Sequence, residues 1–145
     1  MAERIIAVDD QTGKKRLIAL PSGGGIDPDV QSFTADGTWT KPADCKQVRV
    51  ILIGGGGGGG SGMYGTSGEQ CGGGGGAGGE LFVQELVASD LDATVSVTVG
   101  QGGSGGASVS TNNYNGKDGA NGGDTLFGSH AKAQGGLGGK GGARY

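Results

Sequence analysis

Apolar and polar residues alternate with a period of two in several short stretches, and nowhere do ten residues hold the 3.6-residue period of a helix. The clearest alternation is ATVSVTV at 93–99, where Val95, Val97 and Val99 point inward and Thr94, Ser96 and Thr98 outward. VRVILI at 48–53 predicts a second strand, with Val48, Val50 and Leu52 on one face and Arg49, Ile51 and Ile53 on the other. Residues 80–87 predict a third, in which Leu81 and Val83 share a face. Two short strands follow at 125–127 and 130–133, joined by Gly128-Ser129. Phe33 and Trp39 sit in β-prone pieces around Ala35-Asp36-Gly37, with Trp39 a core residue. Pro42 ends the second piece, and Ala43-Asp44 turns the chain toward 48–53. At the N-terminus, apolar residues 4–8 and 15–20 flank Asp9-Asp10-Gln11-Thr12-Gly13, which predicts a β-hairpin. An isolated hairpin is marginal in water, so this one should dock on something else. PSGGGIDPD reads as a linker. The predicted class is all-β, divided into an attachment segment at 1–31 and a glycine-rich β-domain at 32–145.

Glycine fills the intervals between strands: 38 of 145 residues, including seven in a row at 54–60. Each glycine inside an ordered element costs about 0.5 to 1 kcal/mol relative to alanine, so these runs are either disordered or ordered by something unusual. Composition alone argues for disorder. The spacing argues against it. Cys71, Gly74, Ala77 and Glu80 recur at every third position, as do Gln101, Ser104 and Ala107, then Gly116, Gly119 and Gly122, then Leu137, Lys140 and Ala143. A period of three matches an extended left-handed helix with about 3.1 Å rise per residue. Such a run would carry its other residues along one edge and bare backbone on the remaining two, where neighbouring runs could bond to one another. With 3 prolines the chain is not collagen. Two readings stay open: packed polyglycine II segments, or glycine-rich loops that are individually irregular but ordered on the β-framework. Both use glycine for positive φ or for close backbone approach.

A formal charge of -3 excludes a nucleic-acid footprint, and no apolar run is long enough to span a membrane. MAERIIAVDD has no apolar core of a secretory signal, so synthesis in the cytosol is expected. Cys45 and Cys71 read as free thiols, and with His130 the only histidine no zinc-ligand spacing exists. VRVILIGGGGGGG imitates a strand followed by G-x-G-x-x-G, but SGMYGTSGEQCGGGGG cannot form the helix that a dinucleotide fingerprint needs. GANGGDTLFG at 119–128 approximates one calcium β-roll repeat with Asp124 as a carboxylate, yet a single copy completes no ion shell, so it reads as a turn into a strand. His130 has no acid or thiol at a catalytic spacing, and Glu80, Glu85, Asp90 and Asp92 read as solvated. The expectation is no enzyme, no cofactor and no metal. Binding candidates are the residues that interrupt glycine: Met63 and Tyr64 in one loop, and Thr111, Asn112, Asn113 and Tyr114 in another. Tyr with Asn and Ser offers stacking and hydrogen bonding to sugars or protein surfaces. The competing reading makes these tyrosines caps on a small core or part of a subunit interface.

The ordered series FTADGTWTKPADCKQVRVILIGGGGGGG, GGGGGAGGE, TVSVTVGQGGSGG, GGDTLFG and AQGGLGGKGG resembles the glycine-rich domain of bacteriophage tail-fibre and related virion proteins. A looser likeness is to phage adhesins with stacked polyglycine helices, whose receptor loops lie between glycine runs. The resemblance implies a small, jelly-roll-like β-sandwich bearing glycine-rich loops, at the end of a trimeric or otherwise multimeric tail appendage. It implies other virion tail proteins as partners, through residues 1–31, and a bacterial surface polysaccharide or protein as receptor. A purely architectural role in the virion is the alternative. The short N-terminal segment in place of a fibre shaft, and the two cysteines, depart from that pattern.

Overall fold

The structure is a computed structural model that describes residues 2–8, 29–65 and 70–144. It divides into two compact units, one made of Met1–Ile53, Leu81–Val99 and Thr125–Ala133, the other of Gly54–Glu80, Gly100–Asp124 and Gln134–Tyr145.

The first unit is a β-sandwich. Its strands are β1 (Ala2–Val8), β2 (Val30–Phe33), β3 (Gly37–Thr40), β4 (Cys45–Ile53), β5 (Leu81–Val87), β6 (Thr94–Thr98), β7 (Thr125–Phe127) and β8 (Ala131–Ala133). One sheet has the order β2-β1-β4-β5 and the other β3-β6-β7-β8. β1 runs parallel to both β2 and β4, while every other pairing is antiparallel. The alternation in the sequence sets the core: Val48, Val50 and Leu52 of β4 are fully buried against Trp39, Val95, Val97, Phe127 and Ala133 of the opposite sheet. Trp39 and Phe127 meet edge to face, with ring centroids 5.4 Å apart. A single 3₁₀ turn at Ala88–Asp90 is held by Lys41, whose ammonium donates to the carbonyls of Ala88 and Leu91.

The hairpin expected at the N-terminus meets a different environment. Residues 5–8 of its first arm pair with β2, and residues 2–7 pair with β4, so both edges of this strand are taken and β1 is an inner strand of the sheet. Its second arm, 15–20, lies outside the described residues, as does most of the linker. β5 is an edge strand. Leu81 and Val83 do share a face, but it is the outer one, where they are joined by Val87 and by an Arg49–Glu85 ion pair on the neighbouring rung.

The second unit has almost no strand and no helix among its described residues; its only ladder contact is an isolated bridge between Tyr64 and Tyr114.

Candidate functional site

Five extended glycine segments build the second unit: 54–64, 71–80, 100–107, 114–124 and 134–143, numbered one to five in chain order. Their backbone hydrogen bonds recur at every third residue. Gly54, Gly57, Gly60 and Met63 donate to the carbonyls of Glu80, Ala77, Gly74 and Cys71, at 2.8 to 2.9 Å. Gly55, Gly58 and Ser61 donate to Gly123, Ala120 and Lys117, each at 2.9 Å. The carbonyls of Gly55, Gly58 and Ser61 accept from Gly136, Gly139 and Gly142, and those of Gly56 and Gly59 from Gly103 and Gly106. Segment one is thus bonded to all four others. Around it, segment two donates to five, four donates to five, and four donates to three, in the same three-residue rhythm. This is a packed polyglycine II bundle, in which backbone satisfies backbone without a β-ladder.

The reason for glycine is close approach. A methyl carbon on Gly58 would lie 2.0 Å from the carbonyl oxygen of Ser104, one on Gly119 would lie 2.1 Å from that of Gly58, and one on Gly136 would lie 2.1 Å from that of Ala77. No real side chain survives at such distances. Positive φ, the other expected reason, is met among the described glycines only at Gly128, in the turn between β7 and β8.

The two candidate loops leave the same end of the bundle. Segment one ends in Met63-Tyr64 and segment four begins at Tyr114, and the Tyr64 N–H donates to the Tyr114 carbonyl at 3.2 Å. Both rings are open to solvent, Tyr64 at 46% and Tyr114 at 59% exposure. Thr111, Asn112 and Asn113 form the exposed turn that leads into Tyr114, with Asn113 at a φ of 62° and the Tyr114 N–H reaching back toward the Thr111 carbonyl at 3.4 Å. Asparagine tolerates that left-handed conformation better than most residues, which suits it to this position. Met63 is different. Only 6% exposed, it offers almost no surface for contact. The structure therefore brings together five of the six candidates and withdraws the sixth into the interior.

A family model described as a glycine-rich domain matches residues 31–145. The chain belongs to the glycine-rich domain family. Neither a curated protein nor a solved structure matches it.

One feature of this glycine-rich domain lies outside the expected candidates. Asn115, Asp118, Asn121 and Asp124 fall at every third position of segment four. Their side-chain oxygens accept the N–H groups of Arg144, Gly141, Gly138 and Gly135 on segment five, at 3.4, 2.8, 2.8 and 2.9 Å. The repeat is present in the string NGKDGANGGD, where it is interleaved with glycines on the same three-residue spacing. Asp124, a candidate calcium carboxylate by motif, here serves the bundle. Lys140 reaches the other oxygen of Asp118 at 2.7 Å; that hydrogen bond, and then the Gly141 N–H, hold the Asp118 carboxyl below its ordinary range. Glu80, expected to be solvated, accepts the Gln134 N–H at 2.8 Å. Cys45 and Cys71 are free thiols. Among the described residues no group of three or more His, Cys, Asp or Glu could hold a metal ion.

Proposed function

We propose that this chain is a bacteriophage virion protein, a tip component of a tail fibre or baseplate, that contributes to host recognition through the Tyr64 and Tyr114 loops. The observation that carries the reading is the bridge between them: two loops far apart in sequence are fixed side by side at the end of a bundle tied by backbone hydrogen bonds at every third residue, with both tyrosine rings exposed. A contact surface ordered before binding loses little entropy when a receptor arrives. Tyr with neighbouring Asn and Thr suits the ring faces and hydroxyls of a surface polysaccharide, or the polar surface of an envelope protein. Attachment to other tail proteins falls to the part of 1–31 outside β1, whose two edges are already paired, and the copy number is a trimer. The test is adsorption. Particles carrying Tyr64→Ala with Tyr114→Ala should adsorb to host cells at least tenfold more slowly while the purified protein keeps its unfolding midpoint; unchanged adsorption refutes the assignment.

A second reading, a purely architectural virion protein without a receptor, draws on another observation. β5 is an edge strand that exposes Leu81, Val83 and Val87. Such an edge suits burial against another subunit. Val83→Lys should then break the oligomer in a mass measurement and leave the monomer folded; an unchanged oligomer removes this support.

A further inference from the structure

An extended helix with three residues per turn points its N–H groups in three directions and its carbonyls in three more, so a fully surrounded segment has six hydrogen-bonded neighbours. Segment one has four. Its N–H groups serve segments two and four, and its carbonyls serve segments five and three. The remaining N–H row, Gly56, Gly59 and Gly62, finds no acceptor among the described residues, and all three glycines are exposed. The remaining carbonyls, of Gly54, Gly57 and Gly60, receive no hydrogen-bond donor there either. Gly72, Gly75 and Gly78 of segment two have nothing within 4 Å of where a side chain would project. A methyl on Gly105 of segment three would lie 3.6 Å from the Gly59 carbonyl. The open flank of the bundle is therefore a row of unused backbone donors along exposed, uncharged glycine backbone.

We propose that this flank docks an extended glycine-repeat segment of another polypeptide chain, in the manner by which an exposed sheet edge accepts an added strand. The donors recur at every third residue, about 9 Å apart along the segment, a spacing that the carbonyls of another three-residue helix reproduce and a β-strand does not. Among the described residues the positions named on this flank are all glycine and carry no side-chain charge. The five glycine segments among the described residues already bond within the bundle, so none of them can occupy this flank. The docked segment continues the interface that segments two to five already make with segment one. It must carry glycine at least at every third residue wherever it meets backbone, as each neighbouring pair inside the bundle does on one of its two members.

The probe is a soluble peptide with lysine at both ends of five Gly-Gly-Ser repeats, added to the full-length protein labelled with ¹⁵N. The expected result is saturable binding that shifts the amide signals of Gly56, Gly59 and Gly62 and slows their hydrogen exchange. A control peptide of Ala-Ala-Ser repeats should bind at least tenfold more weakly. Gly56→Ala, Gly59→Ala and Gly105→Ala together put methyls on this flank at 3.8, 3.6 and 3.6 Å from the nearest atoms of the bundle, ordinary contact distances, so the variant should keep its unfolding midpoint and bind the glycine peptide at least tenfold more weakly. No binding, equal binding of the two peptides, or binding that leaves those three amides unmoved overturns the proposal. Should the triple variant fail to fold, the amide response of the unmodified protein decides. Self-association of the protein that the glycine peptide disperses would also overturn it, by making a second copy the occupant.

Discussion

The sandwich and the bundle solve the same problem with opposite means. In the sandwich, Trp39, Leu52 and Phe127 fill the space between two sheets, and stability rests on apolar side-chain volume removed from water. In the bundle there is almost no side chain to bury; segments lie so close that a carbonyl oxygen occupies the place where a Cβ would be. Its order rests on backbone hydrogen bonds and on the contacts that such close approach permits. The two units should therefore respond to mutation in opposite directions: removing atoms damages the first, and adding them damages the second.

The sharpest way to break this comparison is a single methyl. Gly58→Ala sets a carbon 2.0 Å from the Ser104 carbonyl oxygen in the middle of segment one, where no flexible side chain can yield. Overpacking against backbone belongs in the severe tail of single substitutions, and a loss on the order of 4 kcal/mol or more is expected in denaturant unfolding. Gly75→Ala is the matched control. With nothing within 4 Å, it should leave stability unchanged or raise it by about 0.5 kcal/mol through a less flexible unfolded chain. If the two variants behave alike, the bundle is not packed as described.

The reverse substitution tests the other unit. Phe127 is fully buried and stacks edge to face on Trp39, so Phe127→Ala should cost about 3 to 5 kcal/mol by the same measurement. A loss below about 1 kcal/mol would mean that the sandwich does not depend on its core in the way its burial implies.

Much of the first unit was legible beforehand because alternation reports directly on which residues face inward. Val48, Val50, Leu52, Val95 and Val97 are buried as their period requires, and Trp39 lies at the centre. β4 begins earlier than the apolar run, at Cys45, because pairing with β1 extends it beyond the residues that it buries. The parallel pairing of β1 was not legible. Register between strands far apart in sequence leaves no local mark. In the bundle, the period of three allowed a three-residue helix or irregular ordered loops, and the recurring backbone hydrogen bonds select the first, with Leu137 and Lys140 exposed on an outer edge. It could not tell which segments would be neighbours. It also hid Met63 among the loop residues, since a methionine beside a tyrosine reads the same whether it points in or out.

The Asx row offers a smaller effect and a finer test of how the bundle is tied. Asn121 gives one side-chain acceptor to the Gly138 N–H at 2.8 Å in an exposed setting. Asn121→Ala leaves that N–H to water, and the expected loss is about 0.5 to 1.5 kcal/mol. Hydrogen exchange at Gly138 should quicken while Gly139, which donates to the Gly58 carbonyl, stays protected. Equal exchange at both sites would show that the side-chain row contributes nothing to the order of segment five.

The smallest effect expected is electrostatic. Asp118 is held below its ordinary 3.8, first by the hydrogen bond from Lys140 and then by that from the Gly141 N–H. A carboxyl whose folded pKa is depressed adds stability that is present above its unfolded pKa and lost as pH falls through the folded value, so the contribution of this pair is intact at neutral pH and fades below about pH 3.8. Lys140 is raised above its ordinary 10.5 by the same partner, and its contribution is present below that value and lost as pH climbs through the raised one. Both side chains are open to water, where ion pairs are strongly screened, so the titration itself is the measurement to make and not the unfolding midpoint. A carboxyl ¹³C titration should place Asp118 below 3.8 in the unmodified protein. Lys140→Met should move it upward without bringing it fully to that value, because the Gly141 N–H still donates to the other oxygen at 2.8 Å. A midpoint that does not move would mean that the backbone donor alone holds the carboxylate, and that even the side chains of this bundle answer chiefly to its backbone.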